Sequence, residues 1–329
     1  MKSIRSSWFP VSIGIIFFTA FYFKSVSDHY GYATKSKHND PEDWQPPDIN
    51  LVPQTAEGEM IRYGRDLIVH TSTYFGPKGN IAPITNGMNC QNCHIWAGVK
   101  PFGNSFASVA STYPKFRDRS GILESVEFRI NDCMERSLNG TSIDSASKEM
   151  KAMVAYLNWV GQFVKKGVKP TGSGNPDIPY LNRAADPING KSIYVDKCQR
   201  CHGHDGEGLF YEDSTTYRYP PLWGQQSYNV SAGLYRLSRL AGFIKYNMPF
   251  DLAQSTPQLT DEEAWDVAAF ICSQPRPEKK FTQDWPVLEK KPLDYPFGPY
   301  ADRFSEHQHK YGPFLPIKEE LERSKQDIK

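Results

Sequence analysis

Apolar positions recur at helical spacing in several stretches of the chain, separated by segments rich in Pro, Gly and polar residues. From Ala56 to Phe75 the spacing predicts a helix with Met60, Gly64, Leu67 and Ile68 on one face. From Ser147 to Lys166 it predicts the clearest helix, with Met150, Met153, Val154, Leu157, Gly161 and Val164 in one stripe. Ser147 can cap the start of that helix, and Lys165 and Lys166 complement its end before Gly167. A shorter helix is expected around Gly190–Asp196. The run Thr260-Asp261-Glu262-Glu263 is a capping-box start. The helix it opens carries Ala264, Ala268, Ile271 and Cys272 on one side and stops before Pro275. Gly76, Pro77, Gly79, Pro83 and Gly87 mark a loop, and Lys169 to Pro187 reads as a linker.

Helix, loops and an amphipathic closing helix therefore occur twice. The expectation is an all-α chain with domains at 56–168 and 188–275 and the linker 169–187 between them. Residues 276–329 combine many prolines with Trp285, Tyr295, Phe297, Tyr300 and Phe304, and are expected to wrap the two domains. The last dozen residues suit a solvated helix. At the other end, Lys2 and Arg5 precede the apolar run Trp8–Phe23, and Lys24 follows. That pattern marks residues 1–27 as a signal peptide or an N-terminal membrane anchor, with 28–55 as a tether. The run is short for a span. Its aromatic end, Phe21-Tyr22-Phe23, resembles an interface belt and tips the reading toward an anchor. Either outcome exports the rest of the chain.

With 329 residues and a formal net charge of +1, the chain suits about two domains and offers no case for nucleic-acid binding. Its chemistry lies in two five-residue stretches, Cys90-Gln91-Asn92-Cys93-His94 and Cys198-Gln199-Arg200-Cys201-His202. Each is C-x-x-C-H, the attachment signature of haem c. Two thiols add across the porphyrin vinyl groups, and the following His is held where its imidazole can bind iron. A zinc site would pair two C-x-x-C units without needing a His after each. A thioredoxin-like site would need a βαβ setting that is not visible. The cofactor expected is therefore two covalently attached haems.

The sixth iron ligand sets what each haem does. For the second haem the candidate is Met248, the only Met after the second motif, in a loop followed by Pro249. Its plainer alternative is a gap-filling core Met; Lys245 is a nearby rival. For the first haem the candidates are Cys133, Met134, Met150 and Met153, and the last two lie on the helix stripe. Met134 would make an ordinary electron-transfer haem. Cys133 would place an anionic thiolate and a reactive sulfur at the metal. At helical spacing Arg129, Cys133 and Ser137 share one face, with Arg136 close by and Arg117 and Arg119 upstream. Cations beside a thiol favour its thiolate and suit a small oxyanion. The plainer alternative makes these arginines surface charges and Cys133 a small core residue. Cys272, on a buried stripe, reads as core rather than as a disulfide partner of Cys133.

The two motifs, the Arg-x-x-x-Cys-x-x-x-Ser pattern at Arg129, Cys133 and Ser137, and the Asn-Met-Pro at Asn247–Pro249 resemble the thiosulfate dehydrogenases. These are dihaem cytochromes that interconvert thiosulfate and tetrathionate. The likeness runs from about Ala56 to Pro275. It implies two cytochrome c-like domains in tandem. It also implies His94 and Cys133 as the axial pair of a catalytic haem, and His202 and Met248 as the pair of an electron-exit haem. Arg119, Arg129 and Ser137 fall where the family places substrate-binding groups. Some relatives carry Lys directly before the methionine; Asn247 stands there here, which puts a lysine-to-methionine ligand switch in doubt. The implied partner is a cytochrome c or similar electron acceptor; the export pattern of the N-terminus points to the periplasm, soluble after signal cleavage or anchored to the inner membrane. An alternative from a different class is a dihaem electron shuttle without its own substrate, and the arginines around Cys133 argue against it.

Overall fold

The computed structural model describes residues 44–212, 215–253 and 256–327. The apolar N-terminal segment lies outside them. Among the described residues no helix is long and apolar enough to cross a membrane.

The first half carries α1 (Ala56–Val69), α2 (Thr71–Phe75), α3 (Ile95–Gly98), α4 (Val109–Thr112), α5 (Val126–Arg136) and α6 (Lys148–Val160). A two-stranded hairpin, β1 (Lys115–Arg117) against β2 (Ile122–Glu124), sits before α5, with Phe116 opposite Leu123. The second half carries α7 (Pro187–Lys197), α8 (Gln199–His202), a small hairpin of β3 (Leu209–Phe210) and β4 (Tyr217–Tyr219), α9 (Leu237–Asn247) and α10 (Asp261–Ser273). The extension adds α11 (Glu306–Tyr311) and α12 (Leu315–Asp327).

Each half is held by one close helix crossing, and the two crossings match. α1 meets α6 at Gly64, where a Cβ would fall 1.9 Å from Ala152 O and 2.8 Å from Tyr156 Cβ. α7 meets α10 at Gly190, where a Cβ would fall 1.9 Å from Asp266 O and 3.0 Å from Phe270 Cβ. Only glycine lets the backbones approach so closely. Around these crossings Leu67, Met150, Met153 and Tyr156 fill one core, and Tyr194, Leu237, Trp265 and Ile271 the other, all essentially without exposure. Each such side chain contributes roughly 1.5–3 kcal/mol.

The capping box at Thr260 forms both reciprocal bonds: Glu263 N–H donates to Thr260 Oγ1 (3.1 Å), and Thr260 N–H to Glu263 Oε2 (2.8 Å). Two helices differ from the spacing-based expectation. The helix expected over Ala56–Phe75 breaks at His70 (φ −118°, ψ 35°). The break aims the Thr71 hydroxyl at the first motif, where it accepts from Cys90 N–H (3.0 Å). The helix expected to reach Lys166 ends at Gly161. There a Cβ would fall 2.9 Å from Ala110 Cβ, and Lys166 turns its ammonium to the carbonyls of Ala110 and Tyr113.

The stretch from Lys169 to Pro187 is not free chain. Gly172 O and Gly174 O accept from Phe102 N–H (2.8 Å) and Asn104 N–H (3.0 Å), and Pro179 O accepts from the Trp265 indole (2.8 Å). The C-terminal extension also packs against both halves. Trp285 N–H donates to Arg119 O (2.7 Å), and Asp294, fully buried, holds Arg236 and Ser238.

Candidate functional site

The first C-x-x-C-H motif is fastened by polar side chains that precede it. Asn89 Oδ1 accepts from Ser72 N–H (2.8 Å), and Asn92 Oδ1 accepts from Asn89 N–H (2.7 Å). His94 Nδ1 lies 2.6 Å from Asn104 O, and its ring stacks on Phe106 at 4.3 Å. A carbonyl can only accept, so Nδ1 carries the proton and Nε2 keeps its lone pair. Burial lowers the His94 pKa to about 4, which leaves the imidazole neutral. The second motif repeats this device. His202 Nδ1 donates to Pro220 O (2.9 Å), and burial lowers its pKa too. No disulfide ties up the four motif cysteines, and burial pushes Cys90, Cys93 and Cys198 up to about 12. Two thiols for thioether bonds, followed by a neutral imidazole with Nε2 available, make a donor set that fits a covalently held haem at each motif.

Cys133 lies on α5, half-buried. Its sulfur is close enough to both Cys90 and Cys93 to add to the upward shift that burial causes there. It is also the largest influence raising the pKa of Arg129, ahead of Asp132, Tyr113 and Glu124 and against burial. Arg129 in turn contributes to lowering His94. Cys133 and Arg129, on one face of α5, thus act electrostatically on the cysteines and the histidine of the first motif. Met134, one residue on and about 100° around the helix, is 1% exposed and packs in the core with Met150 and Met153.

The arginines form one cluster around a carboxylate. Asp132 is approached by Arg119 Nη1 (3.7 Å), Arg129 Nη1 (2.7 Å) and Arg136 Nε. The Asp132 pKa is lowered: burial would raise it, but Arg129, Arg136 and Arg119 outweigh that. Arg136 is also forked by Asp284 of the extension, Nη1–Oδ2 at 2.6 Å and Nη2–Oδ1 at 2.8 Å, and Phe281 lies 3.8 Å from its Cζ. Three guanidiniums against two carboxylates leave +3 − 2 = +1. Arg119 is 9% exposed, its Nε finds no hydrogen-bond partner among the described residues, and its Cζ lies 5.6 Å from the Trp285 ring. Ser137 follows α5, its N–H closing on Cys133 O (2.9 Å). Arg117 stands apart, with Nη1 3.5 Å from the Tyr113 hydroxyl.

Asp132 and Asp284 have no place among the residues the spacing singles out. Asp132 is legible in principle, three residues after Arg129 and four before Arg136. Asp284 is not, because it reaches Arg136 across 148 positions.

In the second half, Met248 follows the last residue of α9 and is half-buried. The rival Lys245 is engaged elsewhere: Nζ donates to Leu259 O (2.7 Å) and pairs with Asp261 (3.0 Å). Cys272 is 2% exposed with Sγ 3.5 Å from Tyr235 O, and burial raises its pKa to about 11. Cys133 and Cys272 form no disulfide, and Cys272 packs in the core.

Residues 81–162 match the model of the SoxA/TsdA cytochrome c domain, and residues 188–275 match the cytochrome c model. Among curated proteins, the thiosulfate dehydrogenase of Psychrobacter arcticus is 37% identical over 243 residues, covering 73% of this chain and 71% of that protein. The thiosulfate dehydrogenase of Allochromatium vinosum is 37% identical over 235 residues, 70% of this chain and 83% of that protein. Among solved structures, a thiosulfate dehydrogenase (TsdBA) from Marichromatium purpuratum aligns with a TM-score of 0.67 at 30% identity over 75% of this chain. This chain covers 52% of that one, about half its length. Two cytochrome c domains and relatives of this closeness establish two covalently bound c-type haems. With its paired attachment motifs, its tandem helical domains and this degree of identity, the chain belongs to the thiosulfate dehydrogenase family.

Proposed function

We propose that this chain joins two thiosulfate ions into tetrathionate, and can run the reverse reduction, at the haem of its first domain. His94 and Cys133 would hold that haem's iron, and His202 and Met248 that of the second. The haems supply one-electron acceptance, two electrons per turnover. The observation that carries the proposal is the cationic cluster set beside Cys133. A pure electron carrier has no use for three arginines gathered at one attachment site.

Arg119 and Arg129 bind and orient the thiosulfate dianion. At an effective dielectric of about 20, unit charges about 4 Å apart interact by about 4 kcal/mol, so each guanidinium offsets much of the repulsion between like-charged reactants. Arg136, committed to Asp284 and Asp132, holds the carboxylate that positions the other two. The Cys133 thiolate and the terminal sulfur of the first thiosulfate form a sulfur–sulfur bond. Charge falls from −3 to −1 as two electrons depart. The second thiosulfate then attacks the cysteine-bound sulfur, releasing tetrathionate and restoring the thiolate with no further electron change. Ser137, on the same face of α5, is a further donor for sulfonate oxygens.

The domain limits that go with this proposal are 56–168 for the catalytic domain, 169–187 for the linker and 188–275 for the electron-exit domain. The electron partner is a c-type cytochrome or similar carrier. The chain works in the periplasm, exported through its N-terminal segment. The test is a paired assay of thiosulfate oxidation and tetrathionate reduction on the purified dihaem protein. Turnover in either direction supports the proposal, and none in both, with intact haems and a competent acceptor, removes it.

A further inference from the structure

The loop after the first attachment motif and the turn before Met248 meet on one buried lysine. Lys100 is 7% exposed, and its ammonium donates to Asn247 Oδ1 at 2.7 Å. Among the described residues no carboxylate pairs with it, and its next cationic contact is the Trp96 ring at 5.9 Å. Burial lowers its pKa to about 8, as expected of an ammonium that gives up water without gaining a counter-ion. Asn247 is fully buried and uses its other end as well. Its Nδ2 donates to Phe243 O and to Phe102 O, each at 3.1 Å.

These contacts join the two domains at their ligands. Phe102 lies two residues before Asn104, whose carbonyl orients His94. Asn247 lies one residue before Met248. The Phe102–Asn104 loop is itself fixed, since its N–H groups donate to Gly172 O and Gly174 O. A buried charge with a single amide partner is costly, and nothing in thiosulfate chemistry uses Lys100.

We propose that Lys100 is a positioning residue between the two haem sites: through Asn247 it fixes Met248 against the backbone that orients His94, and it sets one uncompensated positive charge at the residue preceding Met248. This rests on His202 and Met248 being the second haem's ligands. A nearby positive charge favours the reduced haem, which carries one positive charge less, and so raises its potential.

The test is a spectroscopic redox titration of the dihaem protein, comparing wild type with Lys100→Met and Asn247→Leu. Thermal melting and haem content report folding separately. Lys100→Met keeps the length of the side chain and removes the charge, and should shift the second haem's midpoint downward while the first haem moves less. Asn247→Leu keeps the charge but releases the turn, and should weaken the thioether-to-iron absorption of the oxidised protein. An unchanged second midpoint in Lys100→Met, or an equal shift of both haems, overturns the proposal. If wild type lacks the thioether-to-iron absorption, the ligand assignment fails by itself, and the Lys100→Met midpoint still reports whether the charge acts on the second haem.

Discussion

Replacing Asp132 by Asn removes the one carboxylate that three arginines share, and the cost follows from what it leaves behind. The Asp132 side chain is 9% exposed, between its partners Arg119 at 10% and Arg136 at 7%. Arg136 keeps Asp284 at hydrogen-bond distance, but Arg119 and Arg129 keep only more distant acids, Asp284 for Arg119 and Glu124 for Arg129. Removing one member of a buried ion pair costs about 3–5 kcal/mol, mostly because the other charge stays behind unpaired. For a chain of 329 residues, with an unfolding entropy of about 2 cal/mol/K per residue, that corresponds to a fall in Tm of roughly 4–7 °C. The sign with pH follows from the lowered Asp132 pKa. Its stabilisation is complete above the unfolded value of about 4 and is lost as pH falls through the lower folded value. The variant should therefore lose stability at neutral pH and converge on wild type in strong acid. Thermal melts followed by far-UV circular dichroism across that range measure both effects. A loss below about 1 kcal/mol at pH 7 would show that the cluster is hydrated and that burial is not what gives Asp132 its importance.

Two further perturbations probe other parts of the molecule. Gly64→Ala puts a methyl 1.9 Å from Ala152 O; forcing α1 from α6 should cost about 1–3 kcal/mol or more in a denaturant melt, and a neutral outcome would mean the crossing is looser than the geometry indicates. Arg129→Gln should lower kcat/KM for thiosulfate by roughly 10- to 150-fold, the worth of one charge-assisted hydrogen bond, with both haem spectra retained; unchanged kinetics would take Arg129 out of substrate binding.

How much of this is legible along the chain depends on the range of the interaction. The attachment motifs are contiguous, and covalent chemistry fixes their spacing, so Cys90, Cys93, His94, Cys198, Cys201 and His202 stand out without a structure. The capping box at Thr260 is equally local, and both of its bonds form. Periodicity finds α1 and α6 but misplaces their ends. The break at His70 goes with the bond of Thr71 to the Cys90 loop, and the stop at Gly161 with its close approach to Ala110, both outside the helices' own spacing. The face of α5 is legible, but its electrostatics are not. The Arg-x-x-x-Cys spacing suggests open cations, whereas Asp132 and Asp284 already bind them and leave a net charge of +1. Asn247 stands in the Asn-Met-Pro run, but its partner Lys100 is 147 positions away and belongs to no local pattern, so nothing along the chain pairs the two.

The sharpest measurement concerns the sulfur of residue 133. Low-temperature EPR of the oxidised dihaem protein should show a His/thiolate low-spin signal alongside that of the second haem. In Cys133→Gly, which retains all four attachment cysteines, the first signal should vanish, the second should persist, and tetrathionate formation should stop. Wild-type and variant spectra that superimpose, with turnover preserved, would place another ligand opposite His94 and remove Cys133 from the chemistry.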